Sequence, residues 1–162
     1  MISALIALTL FQPATQTSPT LVGTWQLQST RAMNAAGEVV YEPEVQTGIL
    51  ILTESHYSLI WTRKPRPDAA THWAATDAEK LVSFNTMIAH SGKWSLENGH
   101  LRLDALTAKS PEFVGGHELF RFDAQANHLV LTAVMAVSRT GNAVPFYTEK
   151  GTQTYHFQRL AP

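Results

Sequence analysis

Seven histidines are the most chemically versatile side chains of this 162-residue chain: His56, His72, His90, His100, His117, His128 and His156. Their spacing does not suit a metal, because no His-Glu-x-x-His run and no closely paired set of ligands occurs. No metal and no other cofactor is therefore expected. Nucleophilic chemistry is equally unsupported, since the chain has no cysteine, no Gly-x-Ser-x-Gly elbow and no phosphate-cradling glycine loop. What remains for an imidazole is proton transfer. His90 falls at the end of a predicted helix, where the helix dipole favours its charged form and a capping role. His117 and Glu118 face opposite sides of a predicted strand, so they do not form an adjacent acid–base pair without a bulge after Gly115-Gly116. His100, Arg102 and Asp104 share one face of a strand and read as the solvated side of a hairpin.

A second kind of chemistry is apolar capture. Tyr57, Leu59, Trp61 and Arg63 alternate onto one strand face, and Trp94, Phe120 and Phe122 are placed to complete an aromatic wall. Tyr57, Trp61, Arg63, His90, Trp94, Phe120 and Phe122 are thus the candidate ligand-binding residues; the same aromatics would equally fill a solid core. Arg63 and Arg66 flank Pro65 where that strand ends, and would hold a ligand carboxylate or phosphate there or simply be solvated. Trp25 and Arg159, at opposite ends of the sequence, are placed to stack as a cation–π pair that closes one end of the structure.

The elements needed to position these residues are mostly strands. Leu21 to Thr30 alternates, with Trp25, Leu27 and Ser29 on one face. Glu38 to Tyr41 is a short edge strand, stopped by Pro43. Thr47 to Thr53 and His56 to Arg63 form a hairpin through Glu54-Ser55, and Gly92 to Leu96 and His100 to Leu106 form another through Asn98-Gly99, the strongest short hairpin signal. Strands from His117 to Asp123, His128 to Val134 and Thr152 to Leu160 complete a count of eight besides the short edge strand. Thr76 with Glu79 forms a capping box, and Leu81, Phe84, Met87 and Ile88 recur at helical spacing, predicting one helix with an apolar face toward the protein. Trp73 and that helix would fold over one end of the structure, as a lid or as a permanent closure.

Composition bounds the function classes. One domain of this length buries a sizeable core. Twelve basic and thirteen acidic residues, with no run of either sign, leave no electrostatic footprint for nucleic acid. Hydrophobic residues make up 44% of the chain and charged ones 15%, so the surface is short of charge and some apolar side chains are free to serve a ligand. Residues 1–20 read as a secretory signal and linker: Met1 to Phe11 is an apolar run too short to span a bilayer, followed by small and polar residues, with cleavage after Ala14 or shortly beyond. No stable membrane insertion is expected, and the protein would be periplasmic or secreted if the segment is a signal, otherwise cytoplasmic. Residues 21–162 form the folded domain.

Gly23-Thr24-Trp25 opening the first strand, Gly48 leading the second, Arg63-Lys64-Pro65-Arg66-Pro67 after the third, the helical stretch Thr76 to His90 and then Ser91-Gly92-Lys93-Trp94 stand in an order that resembles the bacterial lipocalin-like domain family. The likeness runs from Leu21 to Leu160. It implies a mainly-β fold, an eight-stranded antiparallel barrel with one helix inserted between the third and fourth strands, and a cavity that holds a small apolar or amphipathic molecule. Binding or transport of such a molecule is the expected function. The alternative is a cofactor-free barrel enzyme of cyclase or isomerase type, using Tyr57, His90 or His117 as its acid or base.

Overall fold

The computed structural model describes residues 21–67, 74–143 and 151–161; the expected signal segment, Trp73 and Pro145 lie outside them. Nine antiparallel strands occur among these residues: β1 (Gly23–Met33), β2 (Val39–Tyr41), β3 (Val45–Leu52), β4 (His56–Arg63), β5 (Met87–Glu97), β6 (His100–Ala108), β7 (His117–Ala124), β8 (His128–Val137) and β9 (Thr152–Arg159). The sheet runs in the order β2-β1-β3-β4-β5-β6-β7-β8-β9, and β1 also pairs β9, which closes it. β2 touches only Ala32 and Met33 of β1, outside the ring. The closed ring is therefore an eight-stranded barrel. One helix, α1 (Asp77–Asn85), is inserted between β4 and β5, the third and fourth strands of that ring.

Closure leaves no strand edge open in the ring and divides its interior by end. At one end the connections are tight: Thr53 to Ser55, the Asn98-Gly99 turn with both residues at positive φ (50° and 76°), and Gln125 to Asn127. A two-residue turn of this type matches the right-handed twist of the strands it joins. At the other end the connections are long, spanning residues 34–44, 64–86, 109–116 and 138–151. The tight end is filled by apolar side chains; Trp25, Leu27, Leu50, Leu52, Leu101, Leu103, Phe120, Leu129, Leu131 and Phe157 are all buried in one cluster. Each contributes about 1.5 to 3 kcal/mol on leaving water.

Bulges set which residues face inward near the long-loop end. In β1, Leu27 pairs Phe157 and Ser29 pairs His156, so Gln28 is an extra residue. Simple alternation would turn Ser29 inward after Trp25 and Leu27. The bulge resets the phase, leaving Ser29 exposed and burying Thr30 and Ala32 instead. In β8, Leu119 pairs Met135 and Phe120 pairs Ala133, which makes Val134 the extra residue and brings Ala136 inward beside Glu118.

The helix departs from its expected extent. The capping box is present, with the Thr76 hydroxyl accepting from Glu79 N–H and the Glu79 carboxylate accepting from Thr76 N–H. The helix stops at Asn85, however, because the Thr86 hydroxyl and N–H turn back onto Val82 O, and Met87 to Ser91 then pair with β4 from Thr62 to Ser58. His90 is accordingly a mid-strand residue rather than a helix cap. The predicted apolar face does not form either: Leu81 and Phe84 are exposed, Met87 and Ile88 belong to β5, and no helix residue is buried.

Candidate functional site

A cavity of about 460 Å³ opens at the long-loop end of the barrel. This volume lies within the range of pockets that hold small molecules. Its apolar wall includes Trp61, Ile88, Phe113 and Tyr155; Glu118, His90 and Gln153 bring polar groups to it, and Arg63 and Lys109 stand at its rim. The polar members follow from strand parity. Glu118 precedes Phe120 by two residues on β7, Gln153 precedes Tyr155 by two on β9, and both point inward with them. The barrel interior is thus layered, apolar at the tight end and polar toward the mouth.

Glu118 and His90 continue into Tyr57 as a chain of polar groups leading away from the cavity. The Glu118 carboxylate stands 3.6 Å from His90 Nε2, and His90 Nδ1 is 2.8 Å from the Tyr57 hydroxyl. Burial deepens along the chain: Glu118 is 8% exposed, His90 5% and Tyr57 3%. β6 separates the strands that carry Glu118 and His90; Leu103 on it pairs Glu118 and Ala108 pairs His90, and the small Ala105 is the buried residue between them. The His90 ring is held edge-on by Tyr57 on one side and Phe113 on the other, each with centroids 5.4 Å away. A carboxylate facing Nε2 favours the tautomer with its proton on Nε2, so Nδ1 accepts from the Tyr57 hydroxyl. Burial pushes the His90 pKa down, against the opposing pull of Glu118, and His90 is neutral near pH 7. Burial pushes the Tyr57 phenol well above its ordinary range, helped by the negative charges of Glu118 and Asp104, so it keeps its proton.

Four buried side-chain polar atoms have no hydrogen-bond partner among the described residues, on Trp61, Thr62, His90 and His156, and two of them, Trp61 Nε1 and His90 Nε2, belong to residues that line the cavity. An unmet buried donor costs about 1 to 3 kcal/mol, so both favour a ligand that brings an acceptor.

Helix α1 lies beside the mouth and is held there by cations. Arg63 Nη2 donates to Asn85 O at 3.2 Å, Arg66 Nη1 to Ser83 O at 3.1 Å and Lys109 Nζ to Phe84 O at 2.9 Å. Lys109 also sits 4.3 Å over the Phe84 ring. All three contacts meet the C-terminal carbonyls, where the helix dipole is negative, and they replace the basic residues that the last turn lacks. Burial lowers the Lys109 pKa, with Glu112 opposing and Arg63 reinforcing the shift.

The tight end has the opposite character. Trp25 is fully buried, its Nε1 donates to Leu21 O at 2.9 Å, and the Arg159 guanidinium lies 4.0 Å above its ring. Arg159 also donates to Ala126 O and Val22 O, at 2.7 and 3.0 Å. Gly23, at φ 149°, leaves room for that guanidinium, which a side chain there would strike. A closed ring, an inserted helix and this Gly-x-Trp and arginine seal agree with the match of residues 22–150 to the family model of the lipocalin-like domain. The chain belongs to the lipocalin-like domain family. No match to it is found among curated proteins.

In this lipocalin-like barrel the seven candidate ligand residues separate into two groups. Trp61, Arg63 and His90 line the cavity together, and Tyr57 stands behind His90. Phe120 is buried in the apolar cluster, and Phe122 and Trp94 pack against it, Trp94 donating to Thr53 O at 2.8 Å in the tight-end hairpin. These last three lie away from the cavity, because their strands run past it to the other end. His117 pairs Asp104 on the outer side while Glu118 faces in, so of the two it is the carboxylate that reaches the cavity. Glu118 and Gln153 also line the cavity, although neither belongs to the aromatic faces that the sequence presents. Their signal was present, as polar residues in phase with Phe120 and Phe122 and with Tyr155 and Phe157.

Proposed function

We propose that this barrel binds a small amphipathic molecule in its open half, the apolar body against Trp61, Ile88, Phe113 and Tyr155 and a hydrogen-bonding group toward the inner polar layer. The observation that carries this reading is the 460 Å³ cavity together with two buried donors, on Trp61 and His90, that lack acceptors among the described residues. A solidly packed barrel would have neither. Titration with decanol and decanoic acid, followed by tryptophan fluorescence, tests it. Saturable one-to-one quenching that disappears in Trp61→Phe supports binding at this site; unchanged emission and native mass spectra with no adduct would sink the reading.

A second reading is favoured by one observation. The Glu118, His90 and Tyr57 chain places a carboxylate and an imidazole at a mostly apolar cavity, and such groups transfer protons without a cofactor. Carriage alone does not require a buried carboxylate.

A further inference from the structure

We infer that Glu118 and His90 form an acid–base pair that enolises a ketone bound in the cavity, with Tyr57 as the residue that positions His90. The inference rests on the binding reading and goes beyond it by naming a reaction and a substrate class. Its first support is distance. Glu118 Oε2 and His90 Nε2 are 3.6 Å apart, beyond ordinary hydrogen-bond length, so the imidazole N–H is close to the carboxylate without being satisfied by it. In a ketone, the carbonyl oxygen and the neighbouring carbon are separated by about 2.4 Å, from ordinary bond lengths and angles. A carbonyl that accepts from Nε2 therefore presents its α-carbon to the carboxylate. No larger separation of base and donor is needed.

The second support is orientation. The Tyr57 hydroxyl at Nδ1 and the edge contacts from Tyr57 and Phe113 fix the ring, so the proton on Nε2 keeps its direction toward Glu118. Preorganised donors of this kind stabilise charge that develops in the transition state. The third is surroundings: burial keeps His90 neutral, so it acts as a hydrogen-bond donor and does not form an ion pair that would quench the base.

The step balances without a co-reactant. The Glu118 carboxylate takes the α-proton and becomes a carboxylic acid; the C–H electron pair forms the C=C bond; the carbonyl π pair moves to oxygen, where the His90 N–H stabilises it. Return of the proton from Glu118 to the same carbon restores the ketone. If the substrate has a conjugated double bond, return to the far carbon isomerises it. Glu118 and His90 touch the substrate, whereas Tyr57 acts through His90.

β-Tetralone in heavy water is the probe. Saturation-transfer NMR reports its binding, and loss of its α-proton signals reports exchange in the same sample. The expected result is exchange at least about a hundredfold above buffer, the lower end of what positioned acid–base groups contribute. Glu118→Gln should bind the ketone and exchange it at the buffer rate. His90→Gln keeps the base and should lose about tenfold. Tyr57→Phe should lower the rate while leaving ketone binding unchanged, and should broaden the His90 ring resonances, a change that a merely structural tyrosine at that position would not confine to one imidazole. Wild-type protein that binds the ketone but exchanges it at the buffer rate overturns the inference, as does Glu118→Gln with undiminished exchange. Absence of any saturation transfer counts instead against the binding reading.

Discussion

Each end of the barrel carries a buried tryptophan on an inward strand face, and the two differ in how their indole N–H groups are met. Trp25 donates to Leu21 O, carries the Arg159 guanidinium on its face and is fully enclosed. Trp61 is nearly as buried, at 3% exposure, yet its N–H has no partner among the described residues. Burial alone does not separate a plug from a binding wall. Polar satisfaction does, because a closed end has every group paired by the chain itself, while a ligand site leaves donors that the ligand must meet.

The largest effect expected from this contrast is at the sealed end. Trp25→Ala should cost about 3 to 5 kcal/mol, the range for truncating large core aromatics, measured as the shift in urea midpoint at constant slope. Binding of β-tetralone by the surviving folded fraction should be unchanged, since Trp25 lies outside the cavity lining. A melting curve close to wild type would show that the tight end is not sealed by this ring.

The open end responds to acid instead. The pKa of His90 is held below the ordinary value of 6.5 by burial, against Glu118, so the unfolded chain takes up a proton before the folded one does. Stability is therefore complete above about pH 6.5 and falls as the pH drops below it, until the folded value is reached. One proton contributes a slope of at most about 1.4 kcal/mol per pH unit. Urea midpoints at pH 7 and pH 5 should show the loss, and His90→Gln should flatten it. His156, on the outer face and lowered by burial and then by Arg31, leaves a residual slope in that variant. An unaltered slope in His90→Gln would place the titration elsewhere.

Much of this division was legible in the chain, and the reasons it was not wholly so are specific. Hairpin turns and alternation gave seven of the barrel strands near their observed places, since Asn98-Gly99 and the polar turn residues are local signals. Helix α1 misled at its far end because Met87 and Ile88 continue a helical spacing by chance, while the pairing that claims them comes from β4, distant in sequence. Alternation puts Ser29 on the face of Trp25 and Leu27, because a bulge at Gln28 has no local mark. The polar layer of the cavity was hidden for a different reason. Glu118 and Gln153 are in phase with core aromatics, but a carboxylate on an apolar face becomes interpretable only once the fold supplies His90 to meet it.

At the sealed end a smaller change sharpens the contrast. Arg159→Lys keeps the charge but loses the planar stack on Trp25 and the fork that reaches both Ala126 O and Val22 O. An ammonium replaces neither well, so a loss of about 1 kcal/mol is expected, read as a lower thermal midpoint. Equal stability would mean that charge alone holds the pair.

The smallest expected effect is also the most discriminating, because it applies one substitution to both rings. Trp25→Phe removes a made hydrogen bond, weakens the cation–π contact with Arg159 and removes ring volume, and its costs add. Trp61→Phe removes a similar volume but also deletes a buried donor that has no acceptor, and these two contributions oppose each other. Its net effect on the unliganded protein should stay within about 1 kcal/mol, well below that of Trp25→Phe in the same denaturation experiment. Affinity for β-tetralone should move the other way, falling about three- to tenfold in Trp61→Phe if the indole donates to the ligand, and remaining unchanged in Trp25→Phe. Equal destabilisation by both substitutions would mean that Trp61 is as fully satisfied as Trp25, and the distinction between a plug and a binding wall would then fail at the residue on which it most depends.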